Sequence, residues 1–258
     1  MGLRETLAVR RLSEDVYAAM PDGSGFLFGG YSVALALIAA NETVRPDMVP
    51  KSLHACFLRP GRWGSEVVLK VQRWSDGRSF ATREVTLSQE DRAIAAVVAS
   101  FHLPGEGDDW QASQCPDVPM PEVLSSAKVF LPEQAIEVRP VNGSSGESLQ
   151  ESLHPYWARP TDPIGVDQAA HCAALTFMSD YMVILSMFEA GPTVPVTATI
   201  RTVTHSVWFH RDADAEGWLL FGSDPLSITS GRGFATGSVY SRTAALVASF
   251  AQEVNVQP

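Results

Sequence analysis

The sequence predicts an α+β fold built from two tandem copies of one unit, in which a strand and a buried helix are followed by four antiparallel strands. Three observations lead to this prediction. Each half of the chain contains one long, almost wholly apolar segment, four strand-like runs follow each segment, and short matching peptides recur about 150 residues apart. Antiparallel sheets of this kind wrap around a central helix and bury it.

The first unit is assigned to residues 1–103. A strand near Asp15–Met20 leads through a glycine-rich turn to an apolar run, which predicts a buried helix from about Gly30 to Asn41 because no face of it is polar. Turn residues such as Pro60-Gly61 and Asp76-Gly77 then separate the strand-like runs as hairpin connections. These runs are residues 51–58, 66–73, 79–87 and 93–102.

Residues 104–134 are rich in proline and acidic residues and show no lasting period, which predicts a surface linker. The second unit, residues 135–258, repeats the order of the first. Its apolar segment lies within residues 167–191 and is expected to end at Gly191-Pro192. The predicted extended pieces and strands are residues 135–141, 156–160, 197–209, 218–225, 231–240 and 244–252.

Matching peptides relate the two units. The matches are Tyr31 with Tyr181 at an offset of 150, His54 with His205 at 151, 77–82 with 231–236 at 154, and 99–101 with 248–250 at 149. Offsets that stay so similar along the chain indicate an internal repeat. They place three residues of the second unit opposite residues of the first: Asp180 opposite Gly30, Thr202 opposite Lys51 and Gln252 opposite Leu103.

Asp180 interrupts an otherwise apolar segment. A carboxylate in such a setting costs several kcal/mol unless it is paired or hydrogen-bonded. Taken alone, the residue either caps a second helical segment after a break, faces a solvated groove, or has a chemical role. Because its counterpart in the first unit is Gly30, the fold does not require an acid there, and any function that needs a carboxylate in the helix belongs to the second unit alone.

Composition excludes several classes of protein. The net charge of −10 and the pI of about 5.0 argue against a nucleic-acid partner. The apolar segment contains His171 and Asp180, which argues against a membrane span. The three cysteines lie at unrelated spacings and predict neither a disulfide framework nor a metal site. No signal peptide is recognised at the N-terminus, so a cytoplasmic location is expected. No cofactor is expected.

The residues resemble the type II acyl-CoA thioesterase family, whose fold is the double hotdog, over almost the full chain. The matching motifs, which agree with that family in order and spacing, are FGG at 28–30, HACFLRPG at 54–61, GRSFAT at 77–82, EVRPV at 137–141, Ser179-Asp180, HSVWFH at 205–210, RGF at 232–234, and VAS at 247–249 leading to Gln252-Glu253. The chain departs from the family at Tyr31, where Gln is usual, at Thr204, where Asp is usual, and in its short middle segment.

The resemblance implies hydrolysis of an acyl-CoA thioester by an Asp, a Ser or Thr, and a Gln, roles that fall on Asp180, Thr202 and Gln252. Asp180 would accept a proton from a water, while Thr202 and Gln252 would position that water. Expected substrate-binding residues are Gly29, Gly30, Tyr31 and Arg59. The glycine pair either admits a ligand or allows tight packing, and Arg59 is a candidate for the CoA phosphates.

Two alternative functions remain open, and one of them would use a histidine. A protein of this fold can bind acyl-CoA or lipid without turnover, or it can be an enoyl-CoA hydratase, which would use an Asp–His pair. His171 lies nine residues before Asp180, on a poorly matched helix face. His54 and His205 match each other in the repeat, which favours a structural role for both.

Pairing through sheet edges suggests a homo-oligomer, a dimer or a tetramer.

Overall fold

The computed structural model describes residues 2–129, 131, 135–146, 153–189 and 199–257. Its helices are α1 (Leu3–Thr6), α2 (Gly29–Asn41), α3 (Gln168–Ser179) and α4 (Val183–Glu189), with a 3₁₀ turn at Pro121–Val123. Its strands are β1 (Arg10–Ser13), β2 (Val16–Ala19), β3 (Val49–Phe57), β4 (Val67–Asp76), β5 (Phe80–Gln89), β6 (Arg92–His102), β7 (Ile136–Pro140), β8 (Tyr156–Pro160), β9 (Thr199–Phe209), β10 (Leu219–Thr229), β11 (Arg232–Tyr240) and β12 (Leu246–Gln257).

These strands form one antiparallel sheet of 12 strands, in the order β1-β2-β4-β5-β6-β3-β9-β12-β11-β10-β8-β7. The predicted α+β fold is confirmed, because two strand-and-helix units follow each other and each sheet half curls over its own helix. The two halves join where β3 pairs with β9, so the predicted pair of sheets is continuous. The first unit contributes six strands rather than the predicted five, since β1 adds to the predicted first strand. The second unit contributes the six that were predicted, and its first two, β7 and β8, pair with each other.

Helix α2 is the centre of the first unit. Alanine, leucine and valine cover all of its faces, and most of its residues are fully buried. A helix with no polar face is stable only inside a core. It packs on β3, β4, β5 and β6, while α4 packs on β10 and β11 in the corresponding position of the second unit.

The apolar segment of the second unit is broken in its middle. Helix α3 ends at Ser179, Met182 has a left-handed φ of 59°, and α4 begins at Val183. Asp180 is the C-terminal cap residue of α3. The break that was one alternative for Asp180 is therefore real, but its side chain caps neither of the two adjoining segments. The predicted stop at Gly191-Pro192 lies outside the described residues.

Strand ends differ from the prediction where the turn signals misled. Strand β10 continues past Pro225, the predicted end, to Thr229, with an irregular register between Pro225 and Ser227. Proline is tolerated inside a strand at such a bulge. Strand β12 likewise runs beyond Gln252 to Gln257.

The predicted linker lies against the second unit. Pro119 O accepts a hydrogen bond from Trp157 Nε1 at 2.9 Å, and Gln111 Nε2 donates to Ala244 O at 3.0 Å. Arg211 forms an ion pair with Asp109 of the same segment. The segment is thus attached along its length, and the boundaries of the two units at residues 103 and 135 stay a prediction.

Two equivalent β-bulges define how the units correspond. In the first, Lys51 is left unpaired between Pro50, which faces Phe101, and Ser52, which faces Ser100. In the second, Val203 is left unpaired between Thr202, which faces Val254, and Thr204, which faces Glu253. Aligning the bulges makes Pro50 equivalent to Thr202 and Leu53 to His205, and Ala99 then corresponds to Gln252.

Three predicted equivalences between the units are therefore wrong. They are His54 with His205, Lys51 with Thr202, and Leu103 with Gln252. His54 is exposed on the outer face of the sheet, where its ring packs edge-on against Trp208, while His205 is fully buried on the inner face. The error has a physical reason. Side chains alternate between the two faces of a strand, so a shift of one residue moves a side chain to the opposite face.

Candidate active site

Asp180 joins the two units at the start of α2. Its Oδ2 accepts a hydrogen bond of 2.7 Å from Gly30 N, and the residue is only 6% exposed. The approach depends on glycine. A Cβ at Gly30 would lie 2.5 Å from Phe177 O, and a Cβ at Gly29 would lie 2.7 Å from Asp180 Oδ2. Of the two alternatives for the glycine pair, the structure shows tight packing.

Burial dominates the electrostatics of Asp180. Removal from water raises the pKa of its carboxyl to about 7, although the Gly30 N–H and the Gln252 amide oppose that rise. The free N–H groups at the start of α2 favour a negative charge at this point, so the ionised form of Asp180 is still populated near neutral pH. A group with such a pKa can both accept and release a proton at physiological pH.

Thr202 and Gln252 meet on the inner face of the sheet. Gln252 is fully buried, and its Nε2 donates to Thr202 Oγ1 at 2.9 Å. The bulge at Val203 explains the contact. In a regular strand Val203 would face Val254 and Thr202 would point outward, whereas the extra residue brings Thr202 to the inner face. The sequence shows Thr202 as an ordinary surface threonine because a bulge leaves no local signal.

His205 is the residue of this site that sequence reasoning assigned to packing. It is fully buried, its Nε2 lies 2.9 Å from Ser179 Oγ, and its Nδ1 lies 3.8 Å from Asp180 Oδ1. Burial lowers the pKa of His205 to about 4, so the ring is neutral and the contact with Asp180 is not an ion pair. The sequence could have revealed this role only if the register of β9 had been known, since the register places the His205 side chain on the inner face. That register depends on the bulge at Val203.

A cavity of about 660 Å³ opens beside Asp180. Its walls are mainly apolar side chains of the segment before α2, of β3 and β6, and of α4. Among the predicted residues, Asp180, Thr202, Gly29 and Arg59 line it. An apolar cleft with a few converging polar groups is the usual form of a small-molecule site.

The remaining predicted substrate residues do not line this cavity. Gly30 contacts the site through its hydrogen bond to Asp180. Tyr31 is buried in the core, with its ring centroid 4.9 Å from that of Trp63. Arg201, which was not predicted, lines the cavity together with Arg59, and both arginines are exposed.

Comparison with known proteins identifies the family of the chain. Residues 18–102 match the acyl-CoA thioesterase N-terminal domain and residues 112–256 match the C-terminal domain. The chain is 28% identical over 278 residues to acyl-CoA thioesterase 2 of Haemophilus influenzae, covering 98% of this chain and 96% of the relative. It is 28% identical over 259 residues to human acyl-coenzyme A thioesterase 8, covering 90% and 81%.

A solved structure extends the likeness to three dimensions. The acyl-CoA thioesterase II TesB2 of Mycobacterium marinum superposes with a TM-score of 0.83 at 30% identity, covering 98% of this chain and 96% of that one. The fold and the site therefore define a double hotdog protein of the thioesterase class. The chain belongs to the type II acyl-CoA thioesterase family. Among the described residues, no helix has the length and apolar character to cross a membrane.

Proposed function

We propose that the protein hydrolyses acyl-CoA thioesters in the cavity beside Asp180, with a water that Asp180 deprotonates. One observation carries the proposal. A buried carboxyl with a pKa of about 7 lines an apolar cavity next to the Thr202–Gln252 pair. Burying these polar groups costs free energy that the fold has no need to spend, since the first unit holds apolar residues at the equivalent strand positions.

Hydrogen-bond accounting supports a specific position for the water. Asp180 Oδ1 and Gln252 Oε1 are buried atoms with no partner in the described part of the chain. Because Gln252 Nε2 donates to Thr202 Oγ1, the Thr202 hydroxyl hydrogen remains free to donate. A water can then donate to both oxygens and accept from Thr202. Its remaining lone pair is available to attack the thioester carbonyl carbon.

The proposed reaction follows from this arrangement. The water oxygen bonds to the carbonyl carbon while one of its protons passes to Asp180. The tetrahedral intermediate then collapses, the carbon–sulfur bond breaks, and Asp180 returns the proton to the CoA sulfur. The products are a free carboxylic acid and CoA, and Asp180 is again ionised. General-base assistance of this kind typically contributes about 10²- to 10⁴-fold in rate.

The cavity suggests how the substrate lies. Its apolar walls suit an acyl chain, and Gly29 lines the cavity beside Asp180, where it leaves room for the carboxylate. Arg59 and Arg201 are exposed cations at the same cavity, and guanidinium groups bind phosphates well. We assign them to the CoA phosphates. Gly30 acts by holding Asp180, while Tyr31 contributes packing rather than substrate contact.

The alternatives have less support. For the hydratase, the Nδ1 of His171 accepts a hydrogen bond from Ala215 N at 3.0 Å, so this histidine is used far from Asp180. His205 is nearer, but it is fully buried and its Nε2 contacts Ser179 Oγ at 2.9 Å. A binding protein without turnover would have no use for a basic carboxylate. The cytoplasmic location and a homo-oligomer stay predictions, and the edge strands β1 and β7 are where chains would pair.

Hydrolysis is tested with a panel of acyl-CoAs and thiol detection, comparing wild type with Asp180→Asn. We expect kcat to fall by about 10³-fold, because the amide cannot accept the proton of the water. Asp167→Asn is the matched control, since Asp167 caps α3 away from the cavity and asparagine caps equally well. Equal rates for Asp180→Asn and wild type would reject the proposal. Binding of acyl-CoA by wild type without thiol release would instead identify a binding protein.

A further inference from the structure

His205 lies directly behind Asp180, seen from the cavity. It is fully buried, does not line the cavity and cannot touch the substrate. Its two ring nitrogens nevertheless face different partners: Nε2 is 2.9 Å from Ser179 Oγ, and Nδ1 is 3.8 Å from Asp180 Oδ1. Neither Nδ1 nor Asp180 Oδ1 makes a hydrogen bond of good geometry within the described part of the chain. The Gln252 amide lies close to both residues, where it opposes the effect of burial: it raises the pKa of His205 and lowers the pKa of Asp180.

The neighbours of His205 determine which nitrogen carries the proton. Ser179 Oγ donates its single hydrogen to Thr176 O at 3.0 Å, one turn back in α3. With that hydrogen directed to Thr176 O, the hydroxyl accepts from His205, and on this ground we assign the ring proton to Nε2. Nδ1 is then unprotonated, and its lone pair points toward Asp180.

We propose that His205 is a positioning residue that presents an unprotonated Nδ1 to Asp180 and so stabilises the protonated form of this carboxyl. The proposal rests on the proposed role of Asp180 as the base. While Asp180 is ionised, two lone pairs face each other at 3.8 Å, beyond hydrogen-bonding distance. Once the water proton reaches Oδ1, the O–H can donate to Nδ1 and the two atoms approach. This difference makes Asp180 a stronger base.

Other groups around Asp180 do not duplicate this effect. Gly30 N–H from α2 and the Gln252 amide from β12 favour the ionised form. Tyr156 of β8 donates its hydroxyl to Met178 O at 2.9 Å and to Tyr181 O at 3.0 Å, and is therefore not a donor to Asp180. Burial raises the pKa of Tyr156, so its hydroxyl stays neutral. His154 also lies at the break, with Nε2 3.3 Å from Tyr181 O, and burial lowers its pKa to about 4, so it adds no charge near Asp180 at neutral pH. His205 is the neighbour that favours the protonated carboxyl.

The tautomer is tested directly by nitrogen NMR of the full-length protein labelled with ¹⁵N-histidine, in the absence of substrate. The signal of His205 is assigned by its loss in His205→Asn. We expect one protonated nitrogen, Nε2, at neutral pH. A ring protonated on both nitrogens, or on Nδ1, would overturn the proposal. This readout does not depend on turnover, so it remains informative even if Asp180→Asn keeps full activity and the proposed function fails.

The linkage to Asp180 is tested with Ser179→Ala, which removes the acceptor of Nε2. The ring is then free to place its proton on Nδ1 and donate it to the carboxylate, which lowers the pKa of Asp180. We expect the midpoint of the kcat/KM pH profile to move toward acid by about one unit, equivalent to about a tenfold weaker base. Carbon NMR titration of the Asp180 carboxyl should show the same shift.

Ser186→Ala is the matched control. Ser186 is also a buried helical serine, but it lies in the neighbouring helix α4. Its Oγ donates to Val183 O at 2.8 Å and lies 2.8 Å from Ser223 Oγ of β10. We expect its pH profile to match wild type. A purely structural role for His205 predicts the same profile for both serine variants. Such a result, or an unchanged profile for Ser179→Ala, would refute the proposal.

Discussion

The two units share a backbone plan down to their β-bulges, yet they differ completely in the chemistry of the inner face. Beside the bulge the first unit has Pro50, Leu53 and Ala99, where the second has Thr202, His205 and Gln252. At the helix start, Gly30 of the first unit meets Asp180 of the second. The hotdog scaffold thus folds without polar side chains at these three strand positions, and we propose that the polar set of the second unit serves function.

A second contrast concerns the volume of the side chains that face these strand positions. Arg83 of β5 faces Ala99, whereas Ala235 of β11 faces Gln252. The Arg83 side chain is fully buried, and it donates to Thr43, Ser75 O and Thr82 O as well as to Asp76. An arginine fills the first unit where a methyl group stands in the second, so the difference is one of volume as well as of polarity.

The largest expected effect comes from converting the site of the second unit toward the first. The double variant Thr202→Val/Gln252→Ala removes both groups that we propose hold the water, and we expect kcat to fall by about 10³-fold. Thr204→Val is the control, because Thr204 faces Glu253 on the outer side of the same strand. If the double variant keeps wild-type turnover with acyl-CoA, the polar set has another purpose.

Asp180 should also make the free energy of unfolding depend on pH. The first unit cannot contribute in this way, because its counterpart of Asp180 is Gly30. Its carboxyl has a pKa of about 7 in the folded protein and 3.8 as the reference value, so the folded state binds more protons between these limits. The stabilising contribution is complete below the lower value and is lost as pH rises through the upper one. The loss amounts to about 4 kcal/mol, an upper limit given the relaxation of buried sites.

Denaturant unfolding at several pH values measures this contribution. Asp180→Asn has no proton to release, so its free energy of unfolding should lack this fall, and the difference from wild type should grow between mildly acidic and alkaline pH. Parallel pH curves for the two proteins would show that Asp180 is not a buried carboxyl of raised pKa.

A smaller effect is expected for the buried arginine of the first unit. Arg83→Ala should lower the free energy of unfolding by about 3 kcal/mol, because several buried acceptors lose a charged donor. The exposed Arg92→Ala is the control and should change stability by less than about 0.5 kcal/mol. Turnover at a temperature where the variant is folded should stay near that of wild type, since Arg83 lies outside the cavity. Equal unfolding curves for both variants would mean that the guanidinium contributes no net stability.

Much of this molecule is readable from local pattern. The apolar helix of α2, the four strands that follow it and the recurrence of this order in the second half all appear as periodicity over short windows. Asp180 stands out for the same reason, as one carboxylate within an apolar run. Thr202 and Gln252, by contrast, were predicted through family resemblance alone, since a threonine and a glutamine on strands carry no signal of their own.

Tertiary structure decided which side chains face the site. Hydrogen bonds between β9 and β12 place the bulge at Val203, and this single extra residue turns Thr202 inward beside Gln252. The same register brings His205 to Asp180 and leaves His54 outside, which repeat matching at a constant offset could not distinguish. Asp180 itself is held by a backbone N–H located 150 residues earlier in the chain. Strand register and helix contacts of this kind depend on distant parts of the chain, so they emerge only when the sheet closes around its helices.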